Sequence, residues 1–379
     1  MTKVDRYILR NFFRTLLLWY LCLVGLYVVF DLFTNFEDVL SSGKGGGNIV
    51  LSIGRYYFFK TFQFFDVLVS LLIMISAMIT LSTMIRHNEM IPLLASGISQ
   101  LRIIMPIIGA AIVVIFLAMA CRELLLPNYL SDILAKSPSD VGQDQGTTIE
   151  GITDMKTGLR LGGGKAFWST KTIHEPRFVL PNGLEKYGRT VVEAKSAQYL
   201  SATKDRPAGF LLREVIAPTE LLSHESITIE DEAFIITPMS KLDGIGQTDC
   251  FVVCGVTFNQ LAGGEAWRQY GSTLELVEGI RSPSLELTTK VDSVVHSRVT
   301  QPILDLTLLL LGLPIILSKS DRNVFKALGI GALLIVAFLA IQLISKEVGI
   351  SYQQPVIGAW FPLILFVPIA AWLFYDVIR

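Results

Sequence analysis

The chain has 379 residues, of which 51% are hydrophobic and only 17% charged, with a mean hydropathy of +0.53. Soluble domains carry about 25% charged residues, so this composition excludes a plain cytosolic globule. Lys+Arg 32 against Asp+Glu 33 leaves a formal charge of −1, which gives no long-range pull on nucleic acid and sets that class of partner aside.

At the N-terminus, Lys3, Arg6, Arg10 and Arg14 lead into an almost wholly apolar run, about Phe12 to Phe33. No small-x-small cleavage site follows, and the run is too long for a signal core, so it is predicted to be a retained helix. Val4, Ile8 and Phe12 fall at i, i+4, i+8 beside the basic residues. This narrow stripe is expected to lie along the inner membrane surface, either held by anionic lipid or touching a partner. Similar apolar runs cover about Phe62 to Ile85, Leu101 to Leu126, Thr300 to Leu317, Val324 to Ile344 and Pro355 to Tyr375. Each is long enough to cross a hydrocarbon layer of about 30 Å as a helix.

Between the second and third runs, Arg86-His-Asn-Glu89-Met-Ile-Pro92-Leu93-Leu94-Ala95-Ser96-Gly97-Ile-Ser99 is too apolar for a solvated loop and too interrupted for a crossing. Pro92 is suited to open a short helix and Gly97 to end it. Leu93 and Leu94 would then offer apolar knobs, and Glu89 a charge, to a partner such as a motor protein. An interfacial helix that only anchors in headgroups fits the same residues.

The stretch from about Lys136 to Lys290 changes pattern. Short β-branched or alternating runs (Thr190-Val-Val-Glu-Ala, Gly209-Phe-Leu-Leu-Arg, Ala233-Phe-Ile-Ile, Cys250-Phe-Val-Val-Cys) are broken by Gly, Pro and Asp. They predict an all-β sandwich or barrel large enough to bury its own core. The layout is therefore a membrane half at 1–135, a β domain at 136–290 and a second membrane half at 291–379. Lys3, Arg6, Arg10, Arg14, Arg86, Arg102, Lys319, Arg322, Lys326 and Arg379 share one side, against Lys44, Arg55, Lys60 and Lys346 on the other. The excess predicts both termini in the cytoplasm and the β domain outside, periplasmic in a two-membrane cell. Cys250 and Cys254, about 13 Å apart if on one strand, cannot bridge each other without a turn and read as buried free thiols.

Catalytic chemistry is missing. Gly162-Gly-Gly-Lys165-Ala and Gly43-Lys44-Gly come nearest to a phosphate-cradling loop but lack the Ser or Thr after the lysine, and both read as turns. His87, His174, His224 and His296 are scattered without ligand spacing, so neither a metal nor another cofactor is expected. No nucleophile elbow is present. Ionisable groups near membrane depth are few. Asp31, Asp66, Arg122 and Glu123 fall near outer helix ends, where headgroup solvation accounts for them. Asp305, about two turns into the fourth run, either makes a buried polar contact or is partly hydrated.

Six features in order identify a resemblance. They are Asp5-Arg6-Tyr7-Ile-Leu-Arg, Asn88-Glu89 with Leu94-Ala95-Ser96-Gly97-Ile98-Ser99, Glu123-Leu-Leu-Leu-Pro127, His296-Ser-Arg298 with Pro302, Leu311-Gly-Leu-Pro314, and Ala359-Trp360. Together they resemble the LptF/LptG permeases over both membrane halves. The resemblance implies six transmembrane helices, three plus three, with an inserted periplasmic all-β jellyroll-like domain. It implies a non-enzymatic subunit of an ATP-binding cassette exporter that takes lipopolysaccharide from the bacterial inner membrane to a periplasmic bridge. The implied partners are an LptB-like ATPase dimer, a second LptF/LptG-type subunit, and LptC-like and LptA-like periplasmic proteins.

Carried over by position, Glu89, Pro92, Leu93, Leu94, Ala95, Ser96, Gly97 and Ser99 look like a coupling helix, within about 86–100, that docks on the ATPase. The first and fifth membrane helices look like the lateral gate. Lys44, Arg55, Lys60 and Lys346 are candidates for contacting anionic lipid headgroups. A lipoprotein-exporting subunit, or a membrane scaffold or sensor that moves no lipid, fits the same layout. The sequence departs from the family pattern at Phe62-Gln-Phe-Phe-Asp66 and Pro362-Leu363, and in its glycine-rich 43–47 loop.

Overall fold

A computed structural model describes residues 3–36, 49–130, 146–181, 191–203, 206–223, 225–229, 232–240, 245–282, 284, 288–317 and 324–378. In chain order the elements are α1 (Lys3–Thr34), α2 (Ile49–Arg86), α3 (Met90–Ala95) and α4 (Gln100–Ala120), which runs into a π-turn at Cys121–Leu125. Then come β1 (Thr147–Thr148), β2 (Ile152–Asp154), β3 (Leu159–Phe167), β4 (Thr172–Val179), β5 (Val191–Leu200), β6 (Gly209–Ala217), β7 (Ile227–Ile229), β8 (Glu232–Ile236) and β9 (Cys250–Val253). Helices α5 (Phe258–Tyr270), α6 (Thr273–Arg281), α7 (Thr288–Leu317), α8 (Val324–Ser351) and α9 (Pro355–Ile378) complete the chain. Two compact units result: Met1–Leu40 with Tyr57–Leu126 and Asp292–Arg379, and Ser41–Tyr56 with Pro127–Val291.

The helical unit supplies the membrane layer. Among the described residues six helices are long and apolar enough to cross a membrane: Lys3–Thr34, Ile53–Arg86, Gln100–Leu125, Thr289–Leu317, Leu328–Ser351 and Pro355–Tyr375. All six predicted runs are thus helices. Their shared core contains Ile8 and Phe12 of α1, Ile73, Ala77 and Leu81 of α2, Ile104, Ile107 and Ala111 of α4, and Leu308 and Leu309 of α7.

The N-terminal stripe is a correction to the sequence reading. Ile8 and Phe12 are fully buried in this core, so the stripe packs on protein instead of lying on lipid. The apolar period runs unbroken from residue 4 into the membrane run, and the chain stays one helix of 32 residues. At about 1.5 Å per residue that is about 48 Å, well beyond the hydrocarbon thickness.

Where α8 meets α9, small residues let the backbones touch. Ser345 and Gly349, four apart on α8, face Gly358 of α9, and Ser345 Oγ donates to the Gly358 carbonyl at 2.8 Å. A Cβ on Gly349 would lie 2.7 Å from Gly358 Cα, and one on Gly358 would lie 2.7 Å from the Ser345 carbonyl oxygen. Both obstacles are backbone. This is the small-residue packing on which helix association in lipid relies, since lipid tails leave no hydrophobic gain from packing.

The second unit is an antiparallel sheet in the order β1-β3-β4-β5-β6-β9-β8-β7, with β2 also on β3. Leu159 and Leu161 of β3, Ile173 and Phe178 of β4, Ala197 of β5, and Phe210 and Leu212 of β6 share one core, the odd spacing in β4 being absorbed at Glu175, which holds φ +51. The four strand runs read from the sequence fall in β5, β6, β8 and β9. Two helices that the strand pattern did not signal, α5 and α6, follow β9. Thr257 opens α5 through a reciprocal capping box with Gln260, a signature in the sequence as Thr-x-x-Gln.

The Gly162–Gly164 run is not the turn it was expected to be. It lies in β3, with Gly162 opposite Arg177 and Gly163 opposite Pro176. A Cβ on Gly163 would come within 2.8 Å of Pro176 Cα, and one on Gly164 within 2.9 Å of the His174 carbonyl. The glycines are there for close strand approach, not for a reversal.

Gly358→Val is expected to lower the unfolding midpoint in detergent, at a cost of roughly 1–3 kcal/mol or more from overpacking against backbone. Gly358→Ala should lose less. Thermal unfolding of the purified chain checks the order.

Candidate functional site

The segment joining α2 to α4 folds from its own sequence. After Arg86 the chain turns at Asn88, which holds φ +55, a conformation that Asn tolerates better than most residues. Helix α3 follows as Met90–Ala95. It starts two residues earlier than Pro92 had suggested. Pro92 still falls in the first turn, where its missing N–H costs no hydrogen bond. At the other end Gly97 takes φ +82. Its N–H donates to the Leu94 carbonyl at 3.0 Å, and that of Ile98 to the Leu93 carbonyl at 3.2 Å. This is a Schellman closure, with Ile98 and Leu93 packed on the core as its apolar pair. Ser96 Oγ donates to the Leu93 carbonyl at 2.7 Å, and Ser99 caps α4 by accepting the Arg102 N–H at 3.3 Å.

One face of α3 is therefore anchored and the other open. Met90 is buried and Leu93 half-buried against the core of the helical unit, whereas Ile91, Pro92, Leu94 and Ala95 are exposed. Of the two leucines expected to project, only Leu94 does. Ile91 is the other large apolar side chain of α3 that is exposed. Glu89, just before the helix, makes no capping bond. Its two carboxylate oxygens instead accept the Tyr7 hydroxyl of α1, each at 3.0 Å.

In the opposite half of the bundle the ionisable residues meet one another. Arg122 donates to Asp66 Oδ1 through Nε at 2.8 Å and through Nη2 at 2.7 Å, with side chains 14% and 12% exposed. Glu123, on the same π-turn, pairs with Arg298 of α7 at 3.4 Å. Asp31 accepts the Tyr57 hydroxyl at 2.9 Å and the Asn35 amide at 3.1 Å. These groups had been assigned to headgroup solvation, and protein partners satisfy them instead. Inter-helix pairing was not visible in sequence because the partners lie 26 to 175 residues apart.

Asp305 resolves to the buried contact. Its Oδ1 accepts Ser70 Oγ of α2 and Gln301 Nε2 at 2.7 Å, and Gln342 of α8 donates to Gln301 Oε1 at 2.6 Å. Nearby, Trp360 Nε1 donates to His296 Nδ1 at 3.4 Å, and His296 Nε2 lies 3.4 Å from Asp292. The motif residues Glu123, His296, Arg298 and Trp360, scattered along the sequence, thus pair within this unit.

The four cations named for headgroup contact are placed as follows. Lys44 lies outside the described residues. Arg55 is exposed on α2, and Lys60 of α2 and Lys346 of α8 are half-buried. An apolar cavity of about 450 Å³ is lined by Ile344 and Val348 of α8, Tyr352 of the connection, and Ile357 and Phe361 of α9.

In the β unit the two cysteines are free and buried. Burial pushes the Cys250 thiol up to about 12, with a smaller push from Asp249. Burial, and then the carboxylate of Asp154, hold Cys254 well above the ordinary thiol range. Asp154 is itself fully buried. Its Oδ2 accepts the Gly255 N–H at 3.0 Å and the Cys254 thiol at 3.4 Å, while Oδ1 accepts the Lys156 N–H at 2.9 Å. These thiols are structural, with no activated nucleophile between them.

The family described as lipopolysaccharide export system permease LptF/LptG matches the chain over residues 6–376. No curated protein matches it at a significant level.

Asp66→Ala leaves Arg122 charged in a low-dielectric site and is expected to cost about 3–5 kcal/mol. Removing Arg122 as well should cost less than the sum of the single changes, read by unfolding in detergent. Cys250 and Cys254 should resist alkylation at pH 9 until denaturant is added. A thiol that stays protonated only when folded lends stability below its unfolded pKa and loses it as pH rises, here from about 9 to about 12. Unfolding midpoints across that window should fall.

Proposed function

The chain belongs to the LptF/LptG family of lipopolysaccharide export permeases, and on that premise we propose that it is one of two membrane subunits of an ATP-binding cassette exporter. The proposed cargo is lipopolysaccharide, drawn from the inner membrane and passed to the β domain and onward to LptC-like and LptA-like proteins. ATP hydrolysis resides in an LptB-like dimer on the cytoplasmic side, which also carries both termini and α3.

The observation that carries this reading is the two-faced α3. A helix that only anchored in headgroups would gain nothing from being clamped to the core through Met90, Leu93 and Ile98. A helix that receives a push needs that clamp, and it needs an outward apolar face, here Ile91 and Leu94, 53% and 38% exposed. A docked ATPase that changes shape with nucleotide then biases the bundle between two arrangements.

The need for such a drive follows from the cargo. Each buried CH₂ is worth about 0.8 kcal/mol, so a multi-chain lipid leaves a bilayer only along a path that stays apolar. In this reading α1 and α8 form the lateral gate of this subunit. They bury the least of their membrane surface, 11% and 17%, as helices awaiting a neighbour or a lipid would. Arg55, Lys60, Lys346 and Lys44 meet the anionic headgroup, and the apolar cavity lined by α8 and α9 receives hydrocarbon.

Leu94→Arg is expected to abolish co-purification of the ATPase while leaving the helices inserted, since residue 94 makes no core contact of its own. Glu89→Arg should do the same. The measurement is a detergent pull-down with mass spectrometry of bound proteins and lipids. The unaltered chain should bring down an LptB-like ATPase, a second six-helix subunit and lipid A species. Bound lipoprotein would point to the lipoprotein exporter, and the chain alone, without lipid, to a scaffold.

A further inference from the structure

The hydroxyl of Tyr7 is placed symmetrically on the Glu89 carboxylate, 3.0 Å from each oxygen, across 82 residues of chain. Neither residue is held there by sequence neighbours. Tyr7 sits on the first turns of α1, and Glu89 sits in the short link between α2 and α3. The contact is the polar edge of a larger attachment. Ile8, Phe12 and Leu16 of α1 and Met90 of α3 belong to the same buried cluster, with Leu93 and Ile98 packed on it. Towards its other end α1 is held by single polar and aromatic contacts to α2. Tyr20 donates to the Thr61 carbonyl at 2.9 Å, Tyr57 of α2 donates to Asp31 at 2.9 Å, and the Tyr27 ring packs at a 45° tilt against Phe64.

We infer that Tyr7 is a positioning residue that ties α1 to the α3 segment, so that a displacement of α3 is carried into α1 and not only into α2 and α4, which flank it in the chain. The inference rests on the reading of α3 as the ATPase-docking helix. Two features of the geometry support a strut over a chance surface contact. The bond reaches an acceptor that is only half-buried and could have taken water, yet the phenol is centred on both oxygens. Glu89 is also the residue immediately before α3, where a lateral pull acts on the helix with almost no intervening backbone.

The sequence of events on this geometry is short. The ATPase moves α3; Met90 and Glu89 move with it; Ile8 and Tyr7 follow, and α1 rotates or translates as one 32-residue rod. Without the hydroxyl the apolar contacts remain, but they resist sliding along the helix poorly because they are non-directional. A hydrogen bond to a carboxylate fixes both distance and direction.

The test uses the assembled complex recovered with the full chain, reconstituted into liposomes containing lipopolysaccharide. Tyr7→Phe keeps the ring and deletes only the hydroxyl. It should bring down as much ATPase as the unaltered chain and unfold at the same temperature, while lipopolysaccharide released per ATP hydrolysed falls about tenfold, the scale of one charge-assisted hydrogen bond. Transport per ATP is the deciding quantity because a purely structural role would not move it once folding and docking are unchanged. Among complexes that still dock, Glu89→Gln and the double variant with Tyr7→Phe should show no further loss beyond the larger single effect. Tyr7→Phe with the unaltered ratio overturns this inference and leaves the docking helix standing, as do single effects that multiply. Failure of the unaltered chain to hold any ATPase overturns both.

Discussion

Hydrocarbon supplies no partner for a charge or an amide, so every polar group that enters the bilayer has to bring one with it. The charged groups of the helical unit follow that constraint, whereas the buried hydroxyls of Ser76 and Ser82 on α2 have no hydrogen-bond partner among the described residues. Asp66 is held by Arg122, Arg298 by Glu123, and Asp305 by Ser70 and Gln301. Because all of these partners except Gln301, which shares α7 with Asp305, lie on a different helix, satisfying them fixes which helices touch and in what rotation. Apolar packing alone is weakly selective in lipid, where Leu against Leu is little better than Leu against a tail. The polar pairs therefore do the specifying.

The π-turn at Cys121–Leu125 shows how the pairs are aimed. Arg122 and Glu123 are consecutive, yet one reaches α2 and the other α7. Widening the helix by one residue at this point changes the angle between neighbouring side chains, which is why such turns recur where a helix must address two partners. At the other end of the bundle the logic is reversed. There α3 buries Met90 and half-buries Leu93, while Ile91 and Leu94 stay exposed.

Much of this was legible before any coordinates. The six membrane runs follow from length and hydropathy, and the family resemblance rested on residues that the structure brings into contact, such as Glu123 with Arg298 and His296 with Trp360. What was not legible has common causes. The pairing of Asp66 with Arg122 depends on helix rotation, which a window of sequence does not encode. The burial of Ile8 and Phe12 depends on neighbours from α2 and α4, so an amphipathic stripe beside basic residues reads the same whether lipid or protein covers it. The Gly162–Gly164 run misled because glycine serves close approach and reversal equally. Leu93 and Leu94 differ by one position and so by about 100° around the helix, and only the placement of α3 decides which turns outward.

The crossing of α8 and α9 bears on how the bundle can deform. At Gly349 and Gly358 the two backbones touch with no side chain between them, while further along the hairpin the Phe338 and Phe366 rings pack at 4.6 Å; the connection from Ser351 to Pro355 is tied down by hydrogen bonds from Gln354 N–H to Gly349 and from Gly358 N–H to Gln354. Side-chain layers act as bearings: rotamers change and helices slip past one another by small steps. A crossing made backbone to backbone has no such play. Slip between α8 and α9 is thus confined to the end where the aromatic rings intervene, and the end joined through residues 351–355 moves as one piece.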